Sequence, residues 1–433
     1  MYCQLEALRH CLPPSVGRIL EELPETLDET YERVLREINK ANREHARHLL
    51  QCLTVALRPL RVEELAEVLA IDFDAPAQGG IPQLNANWRW ADHHQAVLST
   101  CSSLIAIVDD GDSKVVQFSH FSVKEYLTSD RLASSSGDVS RYHIVLEPAH
   151  TILAQACLGI LLRLDDRVDK GYVGNIPLVK YAAQYWFDHA QFEKVASRIR
   201  DAMEYFFDAD KPHWAAWCRV QMIDERWLDF RPEGSQDALP LYYASLGGFY
   251  DLAEHLVGKH PDHINARGGR MVTPLVAALS GKHFEVADLL HRNGADVDVR
   301  DSHEDTPLCE ACRARVTDIA QWLLNHGADA NPQGCQNDPP LILAACFGRL
   351  KDVQMLLEHN ADIHIRNNSG STPLHAAAGP DSCCDQADIM QVLLDHGAII
   401  DAEDNKGRTP LQIALDRRLG NNATWLKEHG ATR

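Results

Sequence analysis

The sequence predicts a mainly α-helical chain: a helical N-terminal region carrying one β-hairpin, then a helical linker, then a solenoid of repeated helix pairs. Three observations carry this prediction. A Pro-Leu motif recurs through the C-terminal half at a step of about 33 residues. Amphipathic helical periodicity runs through the N-terminal half. One pair of β-prone runs flanks a turn-rich tetrad.

At 433 residues the chain exceeds what one core supports, so about two to four folding units are expected. Its 45% hydrophobic and 24% charged residues are those of globular sequence rather than of disorder. A net charge of -20 repels phosphate backbones and anionic lipid, so neither nucleic acid nor a membrane surface is expected as a partner. The 12 cysteines are scattered, and no charged-then-apolar leader follows Met1-Tyr2-Cys3-Gln4. Reduced thiols and an intracellular, cytoplasmic location are expected. The longest apolar stretch, Ile152 to Leu164, is interrupted by Gln155 and Arg163 and falls short of the roughly 18 apolar residues a spanning helix needs.

The recurring segments are Leu239-Pro240-Leu241, Thr273-Pro274-Leu275, Thr306-Pro307-Leu308, Pro339-Pro340-Leu341, Thr372-Pro373-Leu374 and Thr409-Pro410-Leu411, and their prolines step by 34, 33, 33, 33 and 37 residues. A Thr before Pro caps a helix with its hydroxyl, and Pro at the first helical position has the required φ and no amide to leave unpaired. Small residues follow, such as Ala277-Ala278 and Ala344-Ala345, which let first helices pack closely. Second helices carry Leu289-Leu290, Leu323-Leu324, Leu356-Leu357 and Leu393-Leu394, and Gly294, Gly327, Asn360 and Gly397 stand where a left-handed residue ends a helix. These residues together resemble the ankyrin-repeat family over residues 237 to 433. The resemblance implies about six stacked units that meet a protein partner through their turn tips and concave face. The polar run from Asp416 to Arg433 is expected to cap a stack that ends with this chain.

In the first half, Ala7 to Ile71 reads as consecutive amphipathic helices, with Leu27, Tyr31, Val34, Leu35 and Ile38 on one face. Ser103 to Val108 and Val115 to Phe118 are β-prone and flank the turn residues Asp109 to Asp112, which predicts a hairpin. With a helical pattern resuming from Phe121 to Leu127, this order makes a winged-helix arrangement. The stretches Leu23 to Arg33, Arg58 to Ala66 and Phe118 to Leu127 resemble the region after the NTPase module in fungal NACHT-ankyrin proteins, relatives of the STAND class. On that resemblance residues 1–45 are remnant lid-like helices, 46–135 a winged helix, 140–232 a helical linker and 233–433 the repeats. The linker's aromatic residues, Trp214, Trp217 and Trp227 among them, read as core.

The family's phosphate-cradling loop, G-x-x-x-x-G-K-[ST], has no counterpart here: Gly258-Lys259 and Gly281-Lys282 lack both the preceding Gly and the following Ser or Thr. The chain reads as a truncated relative that keeps the regulator and the reader without the motor, so any nucleotide-binding NACHT chain would act in trans. In STAND proteins a histidine resembling His120 touches the β-phosphate of ADP; the plain alternative is a polar residue packed where hairpin meets helix. Val62 to Ile71, read as the would-be recognition helix, carries Glu63, Glu64 and Glu67 and no Lys or Arg, which disfavours DNA.

No metal or cofactor is expected. Cys309, Cys312, Cys383 and Cys384 lack a second ligand pair and read as buried thiols. His291, His326, His359, His396 and His429 are read at one repeat position near helix C-termini. No Ser-His-Asp order or carboxylate pair stands out, so no catalysis is expected. The candidate partner-binding residues are the turn tips Arg267, Arg270, Arg300, Asp301, His303, Glu304, Gln336, Asn337, Arg366, Asn368, Asn405 and Lys406. Arg300 and Arg366 rank first, since Arg is enriched at binding hot spots; for each tip the plain alternative is a solvated turn.

Overall fold

The computed structural model describes residues 26–73, 82–101, 103–111, 113–135, 137–165, 175–208, 211–223, 239–269, 271–332, 338–379 and 386–432. Two compact units form, residues 1–231 and 232–433. The predicted lid-like helices before residue 26, and Trp227, lie outside the described residues.

The first unit opens with α1 (Leu27–Glu37), started by a capping box in which Glu29 N–H meets Thr26 Oγ1 at 3.2 Å and Thr26 N–H meets Glu29 Oε2 at 3.4 Å. Tyr31, Leu35 and Ile38 are buried, while Leu27, read on the same face, is 47% exposed. There follow α2 (Arg43–Val55), β1 (Leu60–Arg61), α3 (Val62–Val68), β2 (Ile71–Asp72), β3 (Gln83–Leu84), α4 (His93–Cys101), β4 (Ile105–Asp110), β5 (Ser113–Phe118) and α5 (Phe121–Leu127). Strand β5 is central in the order β1-β5-β4, all antiparallel, with Leu60 opposite Val116 and Ile105 opposite Phe118. This is the winged helix. Asp109 and Asp110, expected in the turn, extend β4, because Gly111 at φ 61° opens a tight loop between the paired Asp110 and Ser113.

The acidic residues of α3 are placed differently from the sequence reading. Glu64 and Glu67 are 1% and 4% exposed. Glu64 receives both Arg58 terminal nitrogens at 2.7 Å and the Arg61 N–H at 2.8 Å, and Glu67 pairs with Arg89. These carboxylates are structural, and α3 packs as the first of a pair with α4. Since the second helix of such a pair is the reader, the relevant helix is α4, which also lacks Lys and Arg.

A short α6 (Asp130–Ala133) ends the winged-helix region, and the linker forms α7 (Leu146–Leu161), α8 (Val179–Ala190), α9 (Val195–Arg198), α10 (Arg200–Phe206) and α11 (Pro212–Ile223). The long apolar stretch is mostly α7, a core helix packed on α2 and α8. No helix of the described residues is long and apolar enough to cross a membrane. Trp186, Phe206, Phe207 and Trp217 are buried together, with Trp186 and Trp217 centroids 6.1 Å apart, and Trp217 Nε1–H reaches Ala183 O at 3.0 Å.

A polar chain links linker to winged helix. Leu57 N–H donates to Tyr181 Oη (3.2 Å), Tyr181 Oη lies 2.9 Å from His189 Nε2, and His189 Nδ1 lies 2.9 Å from His150 Nδ1, each within hydrogen-bond distance. The Arg58 guanidinium lies 4.9 Å from the Tyr181 ring centre. His189 is fully buried. Burial first, and His150 second, push its pKa down to about 3.

Among the described residues the second unit holds six helix pairs: α12 (Pro240–Gly247) and α13 (Tyr250–Lys259), α14 (Pro274–Ser280) and α15 (Phe284–Arg292), α16 (Pro307–Ala314) and α17 (Thr317–Asn325), α18 (Pro340–Cys346) and α19 (Leu350–Glu358), α20 (Pro373–Ala378) and α21 (Ala387–Asp395), α22 (Pro410–Asp416) and α23 (Gly420–Glu428). Every first helix starts at its proline. Thr273, Thr306 and Thr409 cap through Oγ1 at 3.4–3.5 Å, while Leu239 and Pro339 supply no side-chain cap. Leu241, Leu275, Leu308, Leu341, Leu374 and Leu411 are buried, as is the alanine three residues beyond each. In the second helices Leu256, Leu290, Leu323, Leu356, Leu393 and Leu426 are at most 2% exposed. Gly294, Gly327, Asn360, Gly397 and Gly430 take φ from 63° to 98° just past those helices, as a left-handed terminator requires.

Three expected outcomes follow. At one place in three of the turn tips stand Glu304 (φ 62°), Gly370 (φ 75°) and Gly407 (φ 73°). Glu304→Gly is expected to stabilise the second unit by about 1 kcal/mol, by relieving a left-handed side-chain conformation. Gly370→Ala should destabilise it by about 2 kcal/mol, since a Cβ there would stand 2.8 Å from Asn405 N; urea unfolding reads both. In the first unit, His189 is neutral when folded and titrates near 6.5 when unfolded. Its contribution is therefore full above about pH 6.5 and is lost as pH falls towards 3, at up to about 1.4 kcal/mol per pH unit. Unfolding measured between pH 7 and 5 should show that slope flattened in His189→Gln.

Candidate functional site

The turns between successive helix pairs project as short fingers, and their backbones are held by a periodic Asp or Asn. Asp301 Oδ1 accepts the N–H groups of His303 (2.7 Å) and Asp305 (2.9 Å). Asn367 Oδ1 accepts those of Ser369 (3.0 Å) and Ser371 (2.9 Å), and Asp404 Oδ1 those of Lys406 (2.8 Å) and Arg408 (2.9 Å). Each finger is also closed by backbone bonds, such as Asp301 N–H to Asp305 O at 3.0 Å and Asn367 N–H to Ser371 O at 3.1 Å. Burial pushes the Asp404 carboxyl up, but the donors of Arg408 and Lys406 outweigh it and hold the group below its ordinary value.

This bonding separates the predicted tip residues into two groups. Arg300 Nη1 donates to Glu304 O at 2.8 Å. Arg366 Nη1 donates to Gly370 O at 2.9 Å and to Glu403 O at 2.8 Å, tying its finger to the next. Asn405 completes that stitch, with N–H to Ser369 O at 3.0 Å and Nδ2 to Asn368 O at 3.1 Å. Arg300, Asp301, Arg366 and Asn405 therefore spend their polar groups on the fingers themselves. Arg267, His303, Glu304, Asn368 and Lys406 are exposed, and their side chains make no hydrogen bond or ion pair among the described residues. Arg270, Gln336 and Asn337 lie outside the described residues.

A second polar series, missed in the sequence, runs from unit to unit. Asn265 Oδ1 accepts Asp296 N–H at 2.8 Å, Asp298 Oδ1 accepts Asp329 N–H at 3.1 Å, Asn331 Oδ1 accepts Asp362 N–H at 2.7 Å, and Asp401 Oδ1 accepts Thr432 N–H at 3.2 Å. The signal was present as Asn or Asp at residues 265, 298, 331 and 401. One rung is missing: its two positions hold His364 and Ile399, the latter 59% exposed.

His326, His359, His396 and His429 each place Nδ1 on the carbonyl four residues back, at 2.7–2.9 Å, which requires Nδ1 to carry the proton. His291 does not belong to this series. The equivalent position is Asn293, whose Nδ2 reaches Leu289 O at 2.8 Å, and His291 instead meets Trp322 and His326 edge-on. Cys309 and Cys312 are buried free thiols; burial pushes the Cys312 pKa up to about 12, leaving no reactive thiolate. Cys383 and Cys384 lie outside the described residues.

His120 is the exposed N-cap of α5. Its Nδ1 accepts Ser122 N–H at 3.3 Å and meets Ser122 Oγ at 2.6 Å, and that hydroxyl meets Tyr31 Oη at 2.7 Å. With Nδ1 accepting, the ring proton is on Nε2.

The ankyrin repeats model matches in three overlapping copies, over residues 241–334, 271–367 and 341–432. Residues 31–137 match the winged helix domain of GPI inositol-deacylase. Azaphilone pigments biosynthesis cluster protein L of Monascus ruber is 29% identical over 299 residues, 64% of this chain and 61% of that protein. Alpha-latrocrustotoxin-Lt1a of Latrodectus tredecimguttatus is 41% identical over 58 residues, 13% of this chain and 4% of the toxin. The chain thus spans less than two thirds of the length of either relative. A crystal structure of an ankyrin repeat domain from Acinetobacter baumannii AYE is 29% identical with a TM-score of 0.41, covering 45% of this chain and 98% of that one. The C-terminal half of this chain is built of ankyrin repeats, and the N-terminal half carries a winged helix.

Proposed function

We propose that the protein is a non-enzymatic interaction module whose ankyrin fingers hold a protein partner. One observation carries this reading: three fingers satisfy their own backbones, which leaves His303, Asn368 and Lys406 exposed and uncommitted on rigid supports, and Arg267 is exposed and uncommitted beside them. Arg300 and Arg366 then act as struts of the binding surface. In the same reading residues 1–45, 46–135, 140–232 and 233–433 are the functional divisions, and the site of action is the cytoplasm.

The test is capture of partners from a cell extract by the full chain. Arg267→Ala/His303→Ala/Lys406→Ala is expected to lose the captured proteins while its unfolding free energy stays within about 0.5 kcal/mol per substitution. Arg366→Ala should lower stability by about 1–2 kcal/mol through its two lost carbonyl contacts. An unchanged set of captured proteins in the triple variant would count against the proposal.

The alternative is the regulatory portion of a STAND-type NTPase, working with a separate NACHT chain. The favouring observation is the exposed His120 ring, whose Nε2–H points no donor contact back into its own helix cap. Titration with ADP, with and without a NACHT chain, should show binding that His120→Ala weakens; no binding in either mixture removes this alternative.

A further inference from the structure

We propose that His260, Asp262 and His263 form a site for a divalent transition-metal ion, with zinc the best match. The three stand in His260-Pro261-Asp262-His263, which closes the first repeat unit. His260 follows α13 and bonds its N–H to Leu256 O at 2.8 Å, and the 3-10 turn Pro261–His263 is closed by His263 N–H to His260 O at 3.0 Å. Pro261 restricts φ at the centre of this segment, so few backbone alternatives compete.

One ligand atom from each residue lies within 4.8 Å of the other two. The two imidazoles are near parallel, 15° between planes with centroids 4.8 Å apart, and His263 Nε2 is 3.7 Å from Asp262 Oδ2. Zinc bonds of about 2.0–2.1 Å in a tetrahedron set ligand atoms about 3.3 Å apart, so binding draws the three ligand atoms somewhat closer than they stand here. His260 Nε2 is shielded from solvent and has no hydrogen-bond partner among the described residues, so a metal supplies the contact this nitrogen lacks. Two imidazoles and one carboxylate are the borderline N and O donors that zinc prefers among divalent ions. The Asp262 side chain is 80% exposed, which leaves the fourth position open to water or to a donor from outside. The ladder histidines are unlike this pair, because each has Nδ1 committed to its own helix and they occur one to a unit.

A bound ion clasps the end of α13 to the turn that leads into the next finger. The test uses the full chain, stripped with a chelator and titrated with Co²⁺ and Zn²⁺. The wild type is expected to show tetrahedral Co²⁺ absorption, one tight zinc step and a zinc-dependent rise in melting temperature, all lost in His260→Ala/His263→Ala. Asp262→Asn is expected to weaken zinc at least tenfold. Absence of the tight step in the wild type, or its persistence in the double variant, overturns the proposal. Should circular dichroism show the double variant unfolded, Asp262→Asn decides, because its exposed side chain leaves the fold intact; unchanged zinc affinity there overturns the site.

Discussion

Each helix pair of the second unit carries an apolar face that it cannot bury by itself, and the whole stack follows from that constraint. Leu256, Leu290, Leu323, Leu356, Leu393 and Leu426 find cover only because a neighbouring pair lies alongside. Each such burial contributes about 1.5–3 kcal/mol, and the buried alanines of the first helices permit the approach. With the interior shared in this way, the fingers carry little of the apolar packing, Met271 against Tyr242 being an instance of what they do carry. Their own polar contacts are then enough to hold their shape.

The first unit solves a different problem. Its winged helix and linker meet where α2 packs on α7 and through polar groups: Arg58, held by Glu64 and lying over the Tyr181 ring, and the line from Leu57 through Tyr181 and His189 to His150. Buried pairs of this kind are poor sources of net stability, since desolvation offsets much of the attraction. What they contribute is directionality, because each hydrogen bond along the line holds only within a narrow range of geometry.

Much of this was legible from residues with a single physical use. Pro at a first helical position, Leu at a 33-residue step and Gly after a second helix each leave few alternatives, so the repeat boundaries were readable. Glu64 and Glu67 were not, because a carboxylate on a helix reads as a solvated charge until the distant Arg58 and Arg89 are brought to it. Arg300 and Arg366 were read as free for the same reason: their acceptors are main-chain carbonyls, which have no letter in a sequence. His291 was grouped with the ladder by type although its spacing differs by two residues, and Asn293 does that work instead. In sequence His260 and His263 look no different from those more numerous histidines.

The missing rung at His364 and Ile399 bears on how the repeat array behaves under load. In a one-dimensional array each module is coupled only to its neighbours, so tension along the axis passes through every junction in turn. This junction lacks the polar bridge present on both sides of it, and there the load falls on the shared apolar interior and on the Arg366 and Asn405 contacts between adjoining fingers.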